Sequence, residues 1–276
     1  RRAFAEGWHL HSRVWAGPIK ARERFEAALA LFRSAGDERG AAQALTELGW
    51  IQTLQGQQLP KAIEYYNGAL PLFRANKDMS GEALALCGMG WAYHSQGEPQ
   101  KALDYVQRSV ALYQAAGNRR GEAFALDRLG KLYAAMFEML AARGIYEQAR
   151  SIFRLVGDRR GEGRTHYLVG TTYEWSGEKQ LALDTYWQAR SLLQSAGDQM
   201  GEASTLYNIA EVYRGWGELQ KAVDYYAQSF AIQDNAERES GKPYPNPGCY
   251  KRIGDLYAEM GDRRKALACY SQILST

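Results

Sequence analysis

Apolar and small residues recur along the chain at helical spacing, and the whole pattern repeats about every 40 residues. Leu129 and Tyr133, four residues apart, lie on one face of an α-helix if that stretch is helical. Ala142 and Tyr146 have the same separation and belong to a similar stripe a little further along. The pattern therefore predicts two amphipathic helices in each repeat and an all-α chain.

A glycine-rich phrase separates the repeats, and its fullest form is the Gly-Asp-Arg-Arg-Gly-Glu of residues 157–162. Glycine suits the left-handed conformation that ends a helix, and Asp is a good cap for the next one. The phrase recurs, at intervals of 41, 40, 40 and 40 residues, around Gly40, Gly81, Gly121, Gly161 and Gly201. It predicts the boundary between successive repeats.

Small residues place six repeats in register. On the first helix of each repeat a small residue follows an apolar one, at Gly49, Gly90, Gly130, Gly170, Ala210 and Gly254. On the second helix an alanine precedes a Tyr or Val by four residues, at Ala62, Ala102, Ala142, Ala182, Ala222 and Ala266. Small residues let paired helices approach to the roughly 8–10 Å of close packing, with tyrosines filling the space beside them.

These landmarks divide the chain, which is expected to be a single solenoid over residues 1–276. The predicted units are 37–77, 78–117, 118–157, 158–197, 198–236 and 246–276, after a degenerate unit over 1–36. In that first unit Ala21, Phe25 and Ala28 match the second helix, and residues 4–15 would form the first. The alternating prolines of residues 243–247 predict an extended linker inserted over 237–245.

The pattern Leu-Gly-x-x-Tyr at residues 129–133, followed by Ala-x-x-x-Tyr-x-x-Ala at 142–149, resembles the tetratricopeptide repeat (TPR) in its long, ~40-residue form. It is similar to the repeats of Pins/LGN adaptors, kinesin light chains and the sensor arms of bacterial STAND ATPases and CHAT proteins. The resemblance implies a right-handed TPR superhelix, an α-solenoid of antiparallel helix pairs. It also implies that the first helix of every unit lines a concave groove.

The side chains of that groove change in character along the chain. Trp50 and Trp91 come from its first two complete units, and they either bury an apolar anchor of a partner or pack against adjacent helices. The later units carry charges of both signs. The candidate partner-binding residues are Trp50, Leu54, Trp91, His94, Phe124, Asp127, Lys131, Arg164, Tyr167, Trp175, Tyr207, Glu211, Arg214 and Lys251, with Arg128 and Arg252 among further candidates nearby.

The groove predicts a protein–protein interaction module that binds a peptide segment of a partner and acts as a scaffold or adaptor. The alternative is a ligand-sensing regulatory arm of a larger multidomain protein. TPR co-chaperones that grip a C-terminal carboxylate place Lys and Asn at two aligned groove positions. Here the aligned pairs are Thr46/Trp50, Cys87/Trp91 and Asp127/Lys131, so that carboxylate clamp is not predicted.

Composition narrows the range of partners. The 34 Lys and Arg residues are interleaved with 31 Asp and Glu residues, and no basic stripe for nucleic acid is formed. No stretch approaches the roughly 18 apolar residues of a membrane span. The three cysteines are scattered, which fits a reducing compartment. We therefore expect a cytoplasmic protein with neither nucleic-acid nor membrane partners.

Neither catalysis nor a metal site is predicted. Cys87 and His94 are seven residues apart on one helix, a rise of about 10.5 Å that is too long for a thiol–imidazole pair. His9 and His11 fall on different helix faces, without further donors nearby. Sequence motifs for phosphate binding, zinc hydrolysis or a serine nucleophile are absent. We expect no enzymatic activity and no cofactor.

Two places depart from the repeat pattern. Phe137 stands where other repeats have a turn glycine, and this apolar corner either packs against its own neighbours or forms a docking edge. The last helix presents Leu267 and Ile273 without a polar cap, and the first residue is Arg1. These features lead us to expect a fragment of a longer protein, with self-association through exposed terminal repeats.

Overall fold

A computed structural model of the chain describes residues 18–56, 58–239 and 247–274, and every regular element in them is an α-helix. These residues form α1 Pro18–Ser34, α2 Glu38–Gln55, α3 Leu59–Ala75, α4 Met79–Ser95, α5 Pro99–Ala115, α6 Arg119–Ala135, α7 Met139–Leu155, α8 Arg159–Trp175, α9 Lys179–Ser195, α10 Gln199–Gly215, α11 Leu219–Glu239, α12 Pro247–Glu259 and α13 Arg263–Leu274. The prediction of an all-α fold is confirmed.

Two parts of the predicted organisation lie outside the described residues. They are the first helix of the degenerate unit, expected over residues 4–15, and residues 240–245 of the expected linker. Helix α11 continues to Glu239, so the prediction that the extended linker starts at residue 237 is wrong, and residues 237–239 are helical. The second helix of the degenerate unit is present as α1, and it buries Phe25 completely.

The helices form two compact units, whose boundary lies between Ile152 and Phe153 inside α7. In the first unit each of α1 to α5 packs against the next helix, and α4 also contacts both α2 and α6. In the second unit α8 to α13 pack in the same consecutive order, and α8 also contacts α10. Within each unit, therefore, neighbouring first helices stand side by side.

The two helices of a repeat run antiparallel. The Ser109 hydroxyl on α5 donates to the Ala83 carbonyl near the start of α4, over 2.6 Å. Tyr105, earlier on α5, stacks on Tyr93 near the end of α4, with ring centroids 5.2 Å apart. Residues late on α4 therefore contact residues early on α5, so the two helices run antiparallel, as predicted.

The Gly-Asp phrase forms a compact joint between repeats. The amide of Asp78 donates to the carbonyl of Phe73 at 2.9 Å and closes the preceding helix. The Asp78 side chain accepts from the amide of Gly81 at 2.8 Å and caps the next helix. Gly81 has no Cβ, and the ring of Phe73 occupies that space, since an added Cβ would lie 2.3 Å from a ring carbon.

The same joint recurs at every described boundary from α1 to α10. In each case a large apolar residue, a capping Asp or Asn and a glycine make the same contacts. The sets are Phe32/Asp37/Gly40, Phe73/Asp78/Gly81, Tyr113/Asn118/Gly121, Phe153/Asp158/Gly161 and Leu193/Asp198/Gly201. The phrase predicted the caps, but the packing of a large side chain under each glycine is a finding of the structure.

A second set of close contacts joins the two helices within a repeat. A Cβ added at Gly130 would lie 2.4 Å from the ring of Tyr146, and one at Gly170 would lie 2.5 Å from that of Tyr186. Both tyrosine side chains are buried. The small residues therefore admit a tyrosine from the second helix, as predicted, and they bring its hydroxyl to the first helix.

The corner at Phe137 projects from the repeat. Its φ of 63° is the left-handed conformation that Gly97, Gly177 and Gly217 adopt at equivalent turns. The side chain is 75% exposed, and Leu140 beside it is 80% exposed. A left-handed conformation costs a non-glycine residue roughly 1–2 kcal/mol. Given this exposure, both side chains remain largely outside the packed interior.

Replacing Gly121 by Ala is expected to lower the free energy of unfolding by about 2 kcal/mol, because the new methyl group would overlap the ring of Tyr113. Gly144 is the matched control, since it lies on the exposed side of α7 with nothing within 4 Å of an added Cβ. Gly144→Ala should raise stability by up to about 1 kcal/mol. Urea denaturation followed by circular dichroism compares the two variants. Equal denaturation midpoints would contradict the close packing of the Tyr113 ring against Gly121.

Candidate functional site

Three aromatic side chains of the first unit surround one arginine. The guanidinium carbon of Arg128 lies over the ring of Trp50 at 5.0 Å from its centroid, over Trp91 at 4.9 Å and over Phe124 at 5.1 Å. All four residues are half-buried. We call Trp50, Trp91, Phe124 and Arg128 the arginine cage. Its members come from α2, α4 and α6, the three first helices that adjoin in this unit.

The repeat register explains how the cage is assembled. Trp50 and Trp91 each follow the small residue of their helix, so they occupy the same position in successive repeats. Phe124 and Arg128 are four residues apart on α6 and share one helix face. Cation–π contacts of this kind contribute about 0.5–2 kcal/mol each, depending on how far the pair is removed from water. Arg128 thus bridges the two tryptophans for which the sequence left open an apolar anchor site or packing against adjacent helices.

Arg128 has no carboxylate partner among the described residues, and its Nε is buried without a hydrogen bond. The adjacent acidic residue in the sequence, Asp127, pairs instead with Lys131 at 2.7 Å. Burial raises the pKa of the Cys87 thiol to about 12 even though the Arg128 charge opposes this, so Cys87 stays neutral near pH 7. The arginine therefore carries a charge that these neighbours leave uncompensated.

His94 lies beside the cage, with its ring centroid 5.0 Å from that of Trp91. Burial lowers the pKa of His94 below its ordinary value of 6.5, so the imidazole is mainly neutral at pH 7. It extends the aromatic surface next to Trp91 without adding a second positive charge.

A carboxylate lies at the centre of the equivalent surface in the second unit. Arg214 donates to Oε2 of Glu211 through Nε at 2.9 Å and Nη2 at 2.6 Å. Arg252 donates to Oε1 at 2.8 Å, and the hydroxyl of Tyr226 donates to the same oxygen. Burial alone would raise the pKa of Glu211, but these hydrogen bonds and the two positive charges outweigh burial and lower it.

Glu174 has a different environment in the same unit. Its carboxylate accepts from the Tyr186 hydroxyl at 2.6 Å, and Asn208 donates to that hydroxyl at 3.1 Å. Burial raises the pKa of Glu174, and the bond from Tyr186 only partly opposes this. Asn208 also reaches the Tyr167 hydroxyl at 3.4 Å, so Tyr167 belongs to this network.

A cleft of about 360 Å³ opens beside Glu211. Positive and negative side chains both line it, and Lys251 pairs with Asp255 across 3.0 Å. The lining residues are Arg214, Gly248, Lys251, Arg252, Asp255, Leu256 and Glu259. Such a surface offers ion pairs and hydrogen bonds to a polar stretch of another chain.

The structure brings together only part of the predicted site. The first unit brings together four of the predicted residues, Trp50, Trp91, Phe124 and His94. The second unit brings together three more, Tyr207, Glu211 and Arg214. Arg252 bonds to Glu211 there and lies over the Tyr207 ring at 5.2 Å. Three other candidates are exposed at the surface, namely Leu54, Arg164 and Trp175. Asp127 and Lys131 pair with each other.

Two hydrogen bonds of this region were not predicted from the sequence. Tyr186 and Tyr226 were assigned only to fill space, whereas their hydroxyls bond to Glu174 and Glu211. The available signal was the small residue opposite each tyrosine, Gly170 or Ala210, which lets the ring reach the first helix.

Among the side chains that the structure describes, no group of three His, Cys, Asp or Glu residues is placed to hold a metal ion. Of the described helices, none combines the length and the apolar character required to cross a bilayer.

The two half-buried carboxylates, Glu174 and Glu211, are expected to titrate on opposite sides of the ordinary Glu pKa of 4.5. Glu211, with a lowered folded pKa, stabilises the fold above the unfolded pKa and loses this contribution as the pH falls through the folded value. Glu174, with a raised folded pKa, contributes stability below the unfolded pKa and loses it as the pH rises.

Carbon-13 NMR of the glutamate carboxyl carbons measures both values, with Glu211→Gln and Glu174→Gln to assign the signals. Titration of both groups at 4.5 would contradict the described hydrogen bonds.

Two family models match the chain, and both are described as tetratricopeptide repeat. One covers residues 55–115, and the other covers 203–235 and 248–276. No curated protein matches the sequence.

Similar solved structures include the apo form of RapI, with 16% identity and a TM-score of 0.66 over 99% of this chain and 95% of that one. A Rap protein complexed with competence and sporulation factor has 14% identity and a TM-score of 0.71, over 99% of this chain and 73% of that one. A STAND protein with a TPR sensor from Pyrococcus horikoshii has 15% identity and a TM-score of 0.71, over 93% of this chain and 40% of that one. At these identities the likeness concerns the fold. Together with the helix pairs and the matched family models, it identifies the chain as a tetratricopeptide repeat protein.

Proposed function

We propose that the chain is a protein-interaction module that binds peptide segments of partner proteins on the faces of its first helices, as a scaffold or adaptor. The observation that carries this proposal is the arginine cage, in which aromatic side chains from three adjoining first helices meet while still half-exposed. Aromatic and arginine side chains dominate the binding energy of protein interfaces because they bury large areas with few competing rotamers.

The cleft of the second unit supports the same proposal. Its charged side chains suit a polar stretch of a partner, where complementary charges favour the correct register and rapid association. The Rap structure in complex with competence and sporulation factor is an example of a similar fold with a bound factor.

The proposal contains no catalytic step. Burial raises the pKa of Glu174, whereas hydrogen bonds and two arginine charges lower that of Glu211, so both shifts have structural causes. The Cys87 thiol is fully buried. We place the protein in a reducing compartment such as the cytoplasm, where its free cysteines Cys87, Cys249 and Cys269 would persist.

Replacing Trp50 and Trp91 together by Ala is expected to weaken peptide binding at least about tenfold, because two central aromatic contacts would be lost. Peptides of 12 residues, selected from a random display library against the whole chain, serve as ligands, and fluorescence anisotropy gives their Kd. Trp216→Ala is the matched control, since Trp216 is a partly exposed tryptophan in a loop outside the cage. Unchanged affinity in the double variant would refute peptide binding at the arginine cage.

The second candidate is a ligand-sensing regulatory arm of a larger protein. The likeness to the STAND protein with a TPR sensor favours it, because the matched part is only 40% of that chain. A sensor must change its conformational equilibrium when ligand binds, whereas a scaffold need not. Small-angle X-ray scattering with and without a selected peptide distinguishes them: a changed radius of gyration supports the sensor, and an unchanged one supports the scaffold.

A further inference from the structure

We propose that Arg128 is the receptor for the side-chain carboxylate of a Glu or Asp residue in the bound peptide. This inference rests on the proposed peptide-binding function and specifies the chemistry of one subsite, the arginine cage. It follows from a comparison of two arginines that occupy the same position in different repeats.

Arg128 and Arg252 are equivalent in the repeat register, since each stands two residues before the small glycine of its first helix, Gly130 or Gly254. Both guanidinium groups lie over aromatic rings of neighbouring helices. They differ in their counter-charge. Arg252 donates to Glu211 at 2.8 Å, whereas Arg128 has no acidic partner among the described residues.

The residue that makes this difference can be identified. Glu211 directly follows the small residue Ala210 on the first helix of the repeat before Arg252. The corresponding residue before Arg128 is Trp91, which directly follows Gly90. The protein therefore supplies the carboxylate itself in one repeat and places an indole there in the other. The Glu211–Arg252 pair shows which chemistry satisfies an arginine at this position.

The geometry of the cage restricts how an anion approaches. The rings of Trp50, Trp91 and Phe124 lie against the guanidinium, and Nε is buried. The two terminal nitrogens form the edge of the group that can donate two parallel hydrogen bonds to a carboxylate. Arginine is suited to this planar recognition, and contact with aromatic faces keeps its orientation.

A side-chain acid fits these surroundings better than a chain terminus. The methylene groups of Glu would lie against the aromatic rings, as in an apolar environment. A terminal carboxylate brings a peptide N–H close to the arginine, and that donor needs an acceptor. The rings of Trp50, Trp91 and Phe124 around the guanidinium offer no such acceptor.

The test uses N-acetyl-glutamate N-methylamide as the probe and the indole N–H signals of Trp50 and Trp91 in the whole chain as the readout. Both signals are expected to shift saturably with this probe but not with N-acetyl-glutamine N-methylamide. Arg128→Gln should weaken the response at least about tenfold, the usual consequence of losing hydrogen bonds to a charged group.

Arg108→Gln is the matched control. Arg108 lies on α5, the second helix of its repeat, and its guanidinium is also over a ring, that of Tyr105 at 5.4 Å. Unlike Arg128, it already pairs with a carboxylate, that of Asp104 on the same helix at 3.4 Å. This variant should retain the parent response. If Arg128→Gln does not fold, Trp91→Glu provides an independent variant. It places a carboxylate where Glu211 stands in the other repeat, and the Trp50 signal should then no longer respond to the probe.

The absence of a saturable shift in the parent chain would overturn the inference, as would an equal response in Arg128→Gln or in Trp91→Glu. A stronger response to N-acetyl-alanine, whose acid is a chain terminus, or to inorganic phosphate would overturn the choice of a side-chain carboxylate.

These experiments also distinguish failure of the carboxylate subsite from failure of the proposed peptide-binding function. If selected peptides still depend on Trp50 and Trp91 but bind Arg128→Gln unchanged, peptide binding stands and the carboxylate subsite does not. If the probe shifts the indole signals while the Trp50 and Trp91 variant leaves peptide affinity unchanged, the anion subsite stands and the peptide surface does not.

Discussion

The fold depends on the contact between a glycine and the large apolar side chain beneath it at each boundary between repeats. At Gly81 the ring of Phe73 occupies the space of a Cβ, while the Phe73 carbonyl and the Gly81 amide both bond to Asp78. Helix end, helix cap and close packing therefore rely on the same few residues. Because interiors are close-packed, one methyl group at this glycine would have to displace a whole ring.

This joint determines which side chains become neighbours on the first helices. Adjoining first helices in each unit carry residues of equal register close together, so the chemistry of a surface depends on which residue stands at each repeat position. With Glu211 at one such position the arginine is neutralised within the fold, and with Trp91 there it is not. The packing stays the same while the surface changes from a saturated ion-pair network to an aromatic site with one free charge.

Much of this architecture was predictable because its causes are local. Helical periodicity, the Gly-Asp phrase and the small residues follow from interactions within a few positions along the chain, and they gave the helix pairs and the caps. The burial of Phe73 under Gly81 was not predicted, since no rule of spacing links an aromatic residue to a glycine in the next repeat. It becomes visible in retrospect as a large apolar residue five positions before each capping Asp or Asn.

The candidate site was predictable in position but not in chemistry. The register correctly places Trp50 and Trp91 on successive first helices, yet the arginine that covers both belongs to a third repeat, and its reach depends on how the repeats stack. The hydroxyl of Tyr226 likewise reaches Glu211 from the partner helix, a contact that depends on the helix separation. Side-chain contacts between repeats require the geometry itself.

The most direct test of the account is hydroxyl-radical footprinting of the whole chain with and without a saturating selected peptide. The account predicts that oxidation of Trp50, Trp91 and Phe124 on the first helices decreases, while oxidation of Tyr105 and Trp187 on the second helices does not change. Protection of Tyr105 and Trp187, with the cage oxidised as before, would show that partners bind the opposite face and would contradict it.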